Sequence, residues 1–368
     1  MYKLSDGGKT VTFELNLKNF ALSDTAAEDI ESVTVTASFT LWRKNPDFEM
    51  KLSSDEIWTL TKPYEEVSAP GNIGFPEFNF LIYYKNGSCD YVTAQTPLSK
   101  SALKSGLTPC TESFGNNFVI LTDKSFLPEI KEKEKYLNNI EELCNINLKA
   151  PQERARISNV RKVPATKNLW RGYHPYKKSR PAFSTENIRI KLVNKALSKN
   201  KIRSVITLCG DEGLNKELGE KFYRPMKKIR KTGNQLLIDT SYETVYFDPQ
   251  SQEYGQTVKK IVDFIINHPA PFYIHCRLGS DRTGTMSSIL AALCGASWKE
   301  ITEDYEKTSK AGFGEFRSPR LLEYSYKKLL GKSPSEIPNL QQALSDYFIN
   351  AAILSQAEII ELRKKLTS

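Results

Sequence analysis

Over the first third of the chain, apolar and polar residues alternate with a period of two. In Thr10-Val11-Thr12-Phe13-Glu14-Leu15-Asn16-Leu17, residues Val11, Phe13, Leu15 and Leu17 fall on one face, and Ser32 to Phe39 repeats the pattern with Val33, Val35, Ala37 and Phe39. Phe78 to Tyr84 is a denser apolar run that ends at Asn86-Gly87, a pair suited to a tight hairpin turn. Short half-buried strands punctuated by Gly and Pro predict an all-β sandwich over residues 1–125. From Asp123 the period changes. Leu127, Ile130, Tyr136, Ile140 and Leu143 recur at helical spacing in Lys/Glu-rich sequence, followed by Pro151 and the basic Arg154, Arg156, Arg161 and Lys162. This predicts a helical connector and basic linker over 126–165.

Beyond residue 166 short apolar runs alternate with amphipathic stretches. Candidate strands are Asn168–Gly172, Ile202–Cys209, Leu236–Asp239 and Phe272–Ile274. Candidate helices are marked by Ile188 to Leu197, by Val258, Ile261, Val262 and Ile265, and by Met286, Ile289, Leu290 and Leu293. A β–α–β order of this kind predicts an α/β domain over 166–368, with a central mostly parallel sheet flanked by helices.

Charge sharpens the division. The chain of 368 residues carries net +9, but residues 1–125 hold 11 Lys and Arg against 16 Asp and Glu, leaving 41 against 27 for the remainder. An acidic substrate suits the basic part. Nucleic acid is not expected, because no basic strand with interleaved aromatics and no recognition-helix pattern is present. No apolar stretch approaches the ~18 residues of a membrane span, and the opening Met1 to Gly8 lacks the apolar core of a secretory signal. A cytoplasmic location is expected, or a secreted or periplasmic one if a leader has been removed. Six cysteines, at 89, 110, 144, 209, 276 and 294, show neither CxxC nor Cys/His spacing, and His174, His268 and His275 are dispersed. The pattern predicts reduced thiols and neither metal nor cofactor.

The candidate chemistry lies in His275-Cys276-Arg277-Leu278-Gly279-Ser280-Asp281-Arg282-Thr283-Gly284. A strand feeds a tight loop that opens a helix, so Cys276 lies at the base of a loop where unpaired N–H groups and the helix dipole favour an anion, thiolate and phosphate alike. Arg282 supplies a planar fork for two phosphate oxygens.

The HCxxGxDRTG run resembles the loop of the cysteine-dependent tyrosine and dual-specificity phosphatase superfamily, in particular its bacterial tyrosine-phosphatase-like members. Asn168-Leu169-Trp170-Arg171-Gly172, Ile202 to Cys209, Trp298 to Tyr305 and Ala357 to Arg363 are similar to further segments of that family. The resemblance implies hydrolysis of phosphate monoesters through a cysteinyl-phosphate. Cys276 is the nucleophile, and residues 277–282 (Arg277, Leu278, Gly279, Ser280, Asp281, Arg282) form the phosphate loop. His275 orders the loop, and the Thr283 hydroxyl bonds the sulfur. Two carboxylates compete as general acid: Asp281, as in lipid-active relatives, and Asp248, which precedes Cys276 by 28 residues as a mobile-loop aspartate would. Asp239 is a third candidate.

Protein phosphotyrosine is the first substrate expected. Arg277, a basic residue directly after the cysteine, resembles phosphatases that act on phosphoinositides or inositol phosphates, the alternative. Cys209 resembles a cysteine that forms a reversible disulfide with the nucleophile in phosphoinositide phosphatases. The segment from Val33 to Gly87 is similar to early-set immunoglobulin-like domains of the glycogen-binding type. That likeness implies a protein partner, or a weak glycan partner stacking on Trp42 and Trp58. A reading of another class is a non-catalytic module that only binds phosphate or glycan.

Overall fold

The computed structural model describes residues 1–22, 29–40, 42, 44–68, 76–108, 113–114, 116–121, 128, 131, 147–179, 185–210, 224–312 and 317–368. The chain divides into two compact units, Met1–Lys135 and Tyr136–Ser368.

The described residues of the N-terminal unit form two antiparallel sheets. Strands β1 (Tyr2–Ser5), β2 (Thr10–Leu15), β4 (Lys51–Leu52) and β5 (Trp58–Pro63) form one, in the order β1-β2-β5-β4; β3 (Ile30–Ala37), β6 (Glu77–Tyr84), β7 (Cys89–Val92), β8 (Ser113–Phe114) and β9 (Asn117–Val119) form the other. The alternation along β2 and β3 turns Val11, Phe13 and Leu15 toward Val33, Val35, Phe78, Phe80 and Phe118, giving one apolar core between the sheets. The Phe13 and Phe78 rings meet edge to face across it, 5.0 Å apart. Asn86-Gly87 makes the expected β6–β7 turn, with Gly87 at φ +82° and its N–H bonded to Tyr84 C=O at 2.8 Å. Trp58 packs partly buried against this core, whereas Trp42 is exposed.

Up to residue 146, the expected helical connector lies outside the described residues except for Pro128 and Lys131. The basic linker does not persist beyond it. Pro151–Ser158 is a helix (α1), started by Pro151 and closed by Asn159 in the left-handed conformation (φ +56°), and Arg161–Lys162 is an edge strand (β10). Both lie within the second unit because Ile157, Ser158, Asn159 and Val160 are buried there.

The second unit carries one sheet in the order β10-β11-β14-β12-β13, with β11 (Leu169–Gly172), β12 (Ser204–Thr207), β13 (Gln235–Leu237) and β14 (Phe272–His275) parallel and β10 antiparallel at the edge. Central β14 pairs on both sides, and its residues are all buried, which explains its continuous apolar run. The flanking helices are α2 (Glu186–Lys199), α3 (Arg224–Lys231), α4 (Tyr242–Phe247), α5 (Gln252–Asn267), α6 (Asp281–Leu293), α7 (Trp298–Glu306), α8 (Pro319–Leu330), α9 (Leu340–Asn350) and α10 (Gln356–Thr367). Ser297 and Ser355 start α7 and α10 with capping boxes closed by Glu300 and Glu358. Among the described residues, no helix is long and apolar enough to cross a membrane.

Candidate active site

Residues 276–280 form the loop between the C-terminal end of β14 and the N-terminus of α6. Every carbonyl of the loop is bound by a donor outside it or at its edge. His275 Nδ1 lies 3.0 Å from Cys276 C=O, and Arg277 C=O accepts from His174 N–H (3.2 Å) and Ser179 Oγ (3.0 Å). Leu278 C=O accepts from Asn159 Nδ2 at 3.1 Å, while Gly279 and Ser280 C=O accept from Arg171 Nη2 at 2.8 and 3.4 Å. No N–H of residues 277–281 donates to any described group. The loop thus turns its acceptors toward the scaffold and leaves its donors for an anion.

Gly279 is required by both conformation and space. It has φ +78°, and a Cβ there would lie 2.2 Å from Gly172 O.

Arg171 is the keystone of this grip and was not singled out as functional by sequence reasoning. Its guanidinium is fully buried and pairs with Asp304, Nη1 to Oδ2 at 2.8 Å; Asp304 also takes Arg161 Nε at 2.6 Å. Burial alone would raise the Asp304 pKa, but the charges of Arg161 and Arg171 outweigh it and hold the carboxyl below its ordinary value. Arg171 and Asp304 both lie in segments quoted above for their family likeness. Their pairing, across 133 positions, has no local signature.

His275 orders the loop through both nitrogens. Because the Cys276 carbonyl can only accept, Nδ1 carries the proton, and Nε2 accepts from Thr207 Oγ1 at 3.0 Å. Gln235 Nε2 in turn donates to Thr207 Oγ1 at 3.1 Å. Burial, opposed by the Cys276 carbonyl and reinforced by Arg282, pushes the His275 pKa down to about 4, so the ring is neutral near pH 7.

The histidines are less dispersed than their spacing suggests. His174, Cys209 and His275 bring ligand atoms within 4.8 Å of one another, a potential metal-binding group. His174 Nδ1 accepts from the N–H groups of Tyr176 (3.3 Å) and Lys177 (2.9 Å). Its proton is therefore on Nε2. With His275 Nε2 engaged by Thr207, neither neutral ring offers an unused lone pair to a cation, and this donor set fits a metal poorly. Cys209 stands beside the nucleophile candidate. Burial first, and then the proximity of Cys276, push its pKa up to about 12, which keeps it a thiol.

Arg282 donates to Thr240 C=O at 3.1 Å, which anchors it below the loop. The Thr283 hydroxyl is buried without a hydrogen-bond partner, so the expected bond to the sulfur is not formed in this structure.

Asp281 faces away from its loop neighbours. Arg317 clasps it through Nε to Oδ1 and Nη2 to Oδ2 (2.9 Å), and Tyr246 OH donates to Oδ1 at 3.1 Å. Burial would raise its pKa. The Arg317 charge and hydrogen bonds prevail and hold it below the ordinary carboxylate value. Asp248 is exposed and ends α4; the next helix is capped by Ser251, whose N–H (3.1 Å) and Oγ (2.7 Å) donate to Asp248 C=O. Asp239 is exposed at the end of β13, bridged to Cys209, and adjoins the Thr240 that receives Arg282. Lys177, which sequence reasoning missed, joins Arg277 and Arg282 in acting electrostatically on Cys209.

No curated protein matches the chain. Among solved structures, the core catalytic domain of the PP-IP phosphatase SIW14 from S. cerevisiae, in complex with citrate, is 18% identical, with 51% of this chain and 85% of that chain covered and a TM-score of 0.27. The tyrosine phosphatase family matches residues 132–368, a span that takes in the whole loop and every side chain found to hold it. The chain belongs to that family.

Proposed function

We propose that the second unit hydrolyses phosphate monoesters through a cysteinyl-phosphate intermediate, without a metal, and that protein phosphotyrosine is its first substrate class. The observation that carries this reading is the outward-bound carbonyl set of residues 276–280, which leaves a nest of N–H donors around Cys276. Cys276 Sγ attacks phosphorus in line while the ester oxygen departs. Arg282 and the loop N–H groups balance the charge on the equatorial oxygens. Water then attacks phosphorus, giving its proton to the carboxylate that protonated the leaving oxygen; the P–S bond breaks, Cys276 returns as thiolate and inorganic phosphate is released. His275 stays neutral and holds the loop.

The proton for the leaving oxygen must come from a carboxyl that can keep it. Asp281 is committed to Arg317, so we assign it to positioning and place proton delivery on the segment from Asp239 to Asp248, Asp239 being joined through Thr240 to Arg282. Asp239→Asn is expected to lower kcat by roughly 10²–10⁴-fold, the usual contribution of a positioned acid, and more for alkyl than for activated aryl phosphates. Asp281→Asn is expected to lower both equally. Steady-state kinetics on a leaving-group series checks this, and a slope that steepens in Asp281→Asn alone returns the role to the loop carboxylate.

Arg277 favours a second reading, a phosphoinositide or inositol phosphate substrate. Its Nε bonds Ser179 Oγ at 3.3 Å, and with Lys177 it adds cations beside the loop beyond the one a single phosphate requires. Arg277→Ala is expected to reduce kcat/KM for a bisphosphorylated inositol lipid by about tenfold more than for a phosphotyrosine peptide. Equal losses on the two substrates would remove the support for polyanions. For the N-terminal unit, whose two facing sheets fit the immunoglobulin-like reading, we assign a partner-positioning role.

A further inference from the structure

At the opposite end of the sheet from the phosphate loop lies a cavity of about 480 Å³. It opens where the chain leaves α2 and α3 to enter the N-terminal ends of β12 and β13, whereas the loop follows the C-terminal end of the parallel neighbour β14. Leu197, Ile202 and Ile229 supply its apolar lining; Lys201, Arg203 and Lys228 supply its charge, and all three are exposed. Among the described residues, no carboxylate lines it and none of these three cations has an ion-pair partner. Lys199, Lys227 and Lys231 are exposed on the same two helices and add to the field.

Cations at helix ends ordinarily serve the carbonyls left open there. That explanation does not apply here. At the end of α2, the N–H groups of Asn200, Lys201 and Ile202 bond Ala196, Ser198 and Leu197 C=O at 3.0–3.1 Å. At the end of α3, those of Thr232, Gly233 and Asn234 bond Lys228, Arg230 and Ile229 C=O at 3.0–3.1 Å. Asn200 Nδ2 adds a bond to Ala196 C=O, and Thr232 Oγ1 adds bonds to Lys228 and Ile229 C=O, so these carbonyls are served without the lysine and arginine side chains. Lys201 further adopts φ +52°, a left-handed conformation that favours Gly or Asn, yet the position carries a long cationic side chain.

We propose that this cavity is a second anion site, separate from the phosphate loop, which takes a multiply phosphorylated ring such as an inositol phosphate. The volume lies in the range of small-molecule sites, the apolar lining can meet the face of a ring, and one guanidinium with two ammonium groups suits phosphates at its rim. Such a ring occurs both free and as a lipid headgroup. The site is independent of the reading given to the phosphate loop, since no loop residue lines it.

The test is calorimetric titration of inositol hexakisphosphate into the full chain with saturating orthovanadate present to fill the phosphate loop, repeated on Lys201→Glu with Lys228→Glu. A vanadate-insensitive site weakened about tenfold or more by the paired substitution is expected, along with weakening as salt rises. Turnover of para-nitrophenyl phosphate should not change. Co-sedimentation with phosphatidylcholine vesicles, with and without a phosphoinositide bisphosphate, separates the two sources. Capture only by the phosphoinositide vesicles, lost in the double variant, assigns a headgroup; calorimetric binding without capture assigns a free ligand. Binding that vanadate abolishes, or that is equal in wild type and variant, overturns the site, as does binding to neither form of ligand. Should the double glutamate variant not fold, Lys201→Gln with Lys228→Gln supports the same comparison.

Discussion

Cys276→Ser abolishes hydrolysis of aryl phosphates and phosphopeptides, with a fall in kcat of roughly 10⁴-fold or more, while phosphate and vanadate still bind. The expectation follows from how the site divides its labour. In the proposed mechanism, charge on the phosphoryl oxygens is met by loop N–H groups and Arg282, which the substitution leaves in place, whereas the bond to phosphorus requires the sulfur. A serine hydroxyl has no neighbouring base to take its proton, because His275 Nε2 is engaged by Thr207 and Nδ1 by the Cys276 carbonyl. Single-turnover kinetics with trapping of the phosphoenzyme, alongside titration of vanadate, checks both halves. Retained turnover in Cys276→Ser refutes the nucleophile assignment. Loss of wild-type activity in EDTA refutes the metal-free chemistry.

Asp304→Asn costs the second unit about 3–5 kcal/mol, the usual penalty for leaving buried charge without its partner. Two guanidinium groups depend on this one carboxylate. Arg171 is 1% exposed and Asp304 4%, so water cannot take over. For a unit of this size the loss corresponds to a fall in Tm on the order of 10 °C, measured by calorimetry. The pH dependence has a definite sign. The folded pKa of Asp304 lies below its unfolded value, so its contribution is complete above the unfolded pKa and is lost as pH falls through the folded one. The asparagine variant lacks that acid-sensitive increment. Activity falls as well, because Arg171 also holds Gly279 and Ser280. A variant that melts with the wild type would show that the ion pairs contribute nothing net.

What could be read from the sequence was whatever repeats locally or lies in one run. The period-two face of Thr10 to Leu15 became β2, and the apolar stripe from Ile188 to Leu197 became most of α2. The loop was legible because its residues are contiguous. Its supports were not. Asn159, Arg171 and Arg317 reach it or its first helical residue from separate elements, Asp304 in turn holds Arg171, and a bond between distant side chains leaves no periodicity in either segment. The same limit applies to His174, Cys209 and His275, which the sheet brings together although their spacing gives no ligand pattern. Pro151 to Lys162 reads as linker by charge, yet a Pro-started helix closed by left-handed Asn159 folds it into the scaffold. Asp248 has no counterpart in a local pattern either: the helix after it is capped by Ser251, three positions on, whose Oγ accepts from Tyr254 N–H.

The manner in which the loop is held also bears on how such a catalyst can diverge. Its curvature is imposed through main-chain oxygens, atoms that every amino acid possesses, by residues that belong to other parts of the chain. At Arg277 the two kinds of contact meet on one residue: Ser179 Oγ donates to the Arg277 carbonyl and accepts from its Nε, while His174 N–H bonds the carbonyl alone. On the proposed reading, a substitution at that position changes the charge offered to substrate while the His174 N–H and Ser179 Oγ bonds to the carbonyl, which need no particular side chain there, still hold the loop.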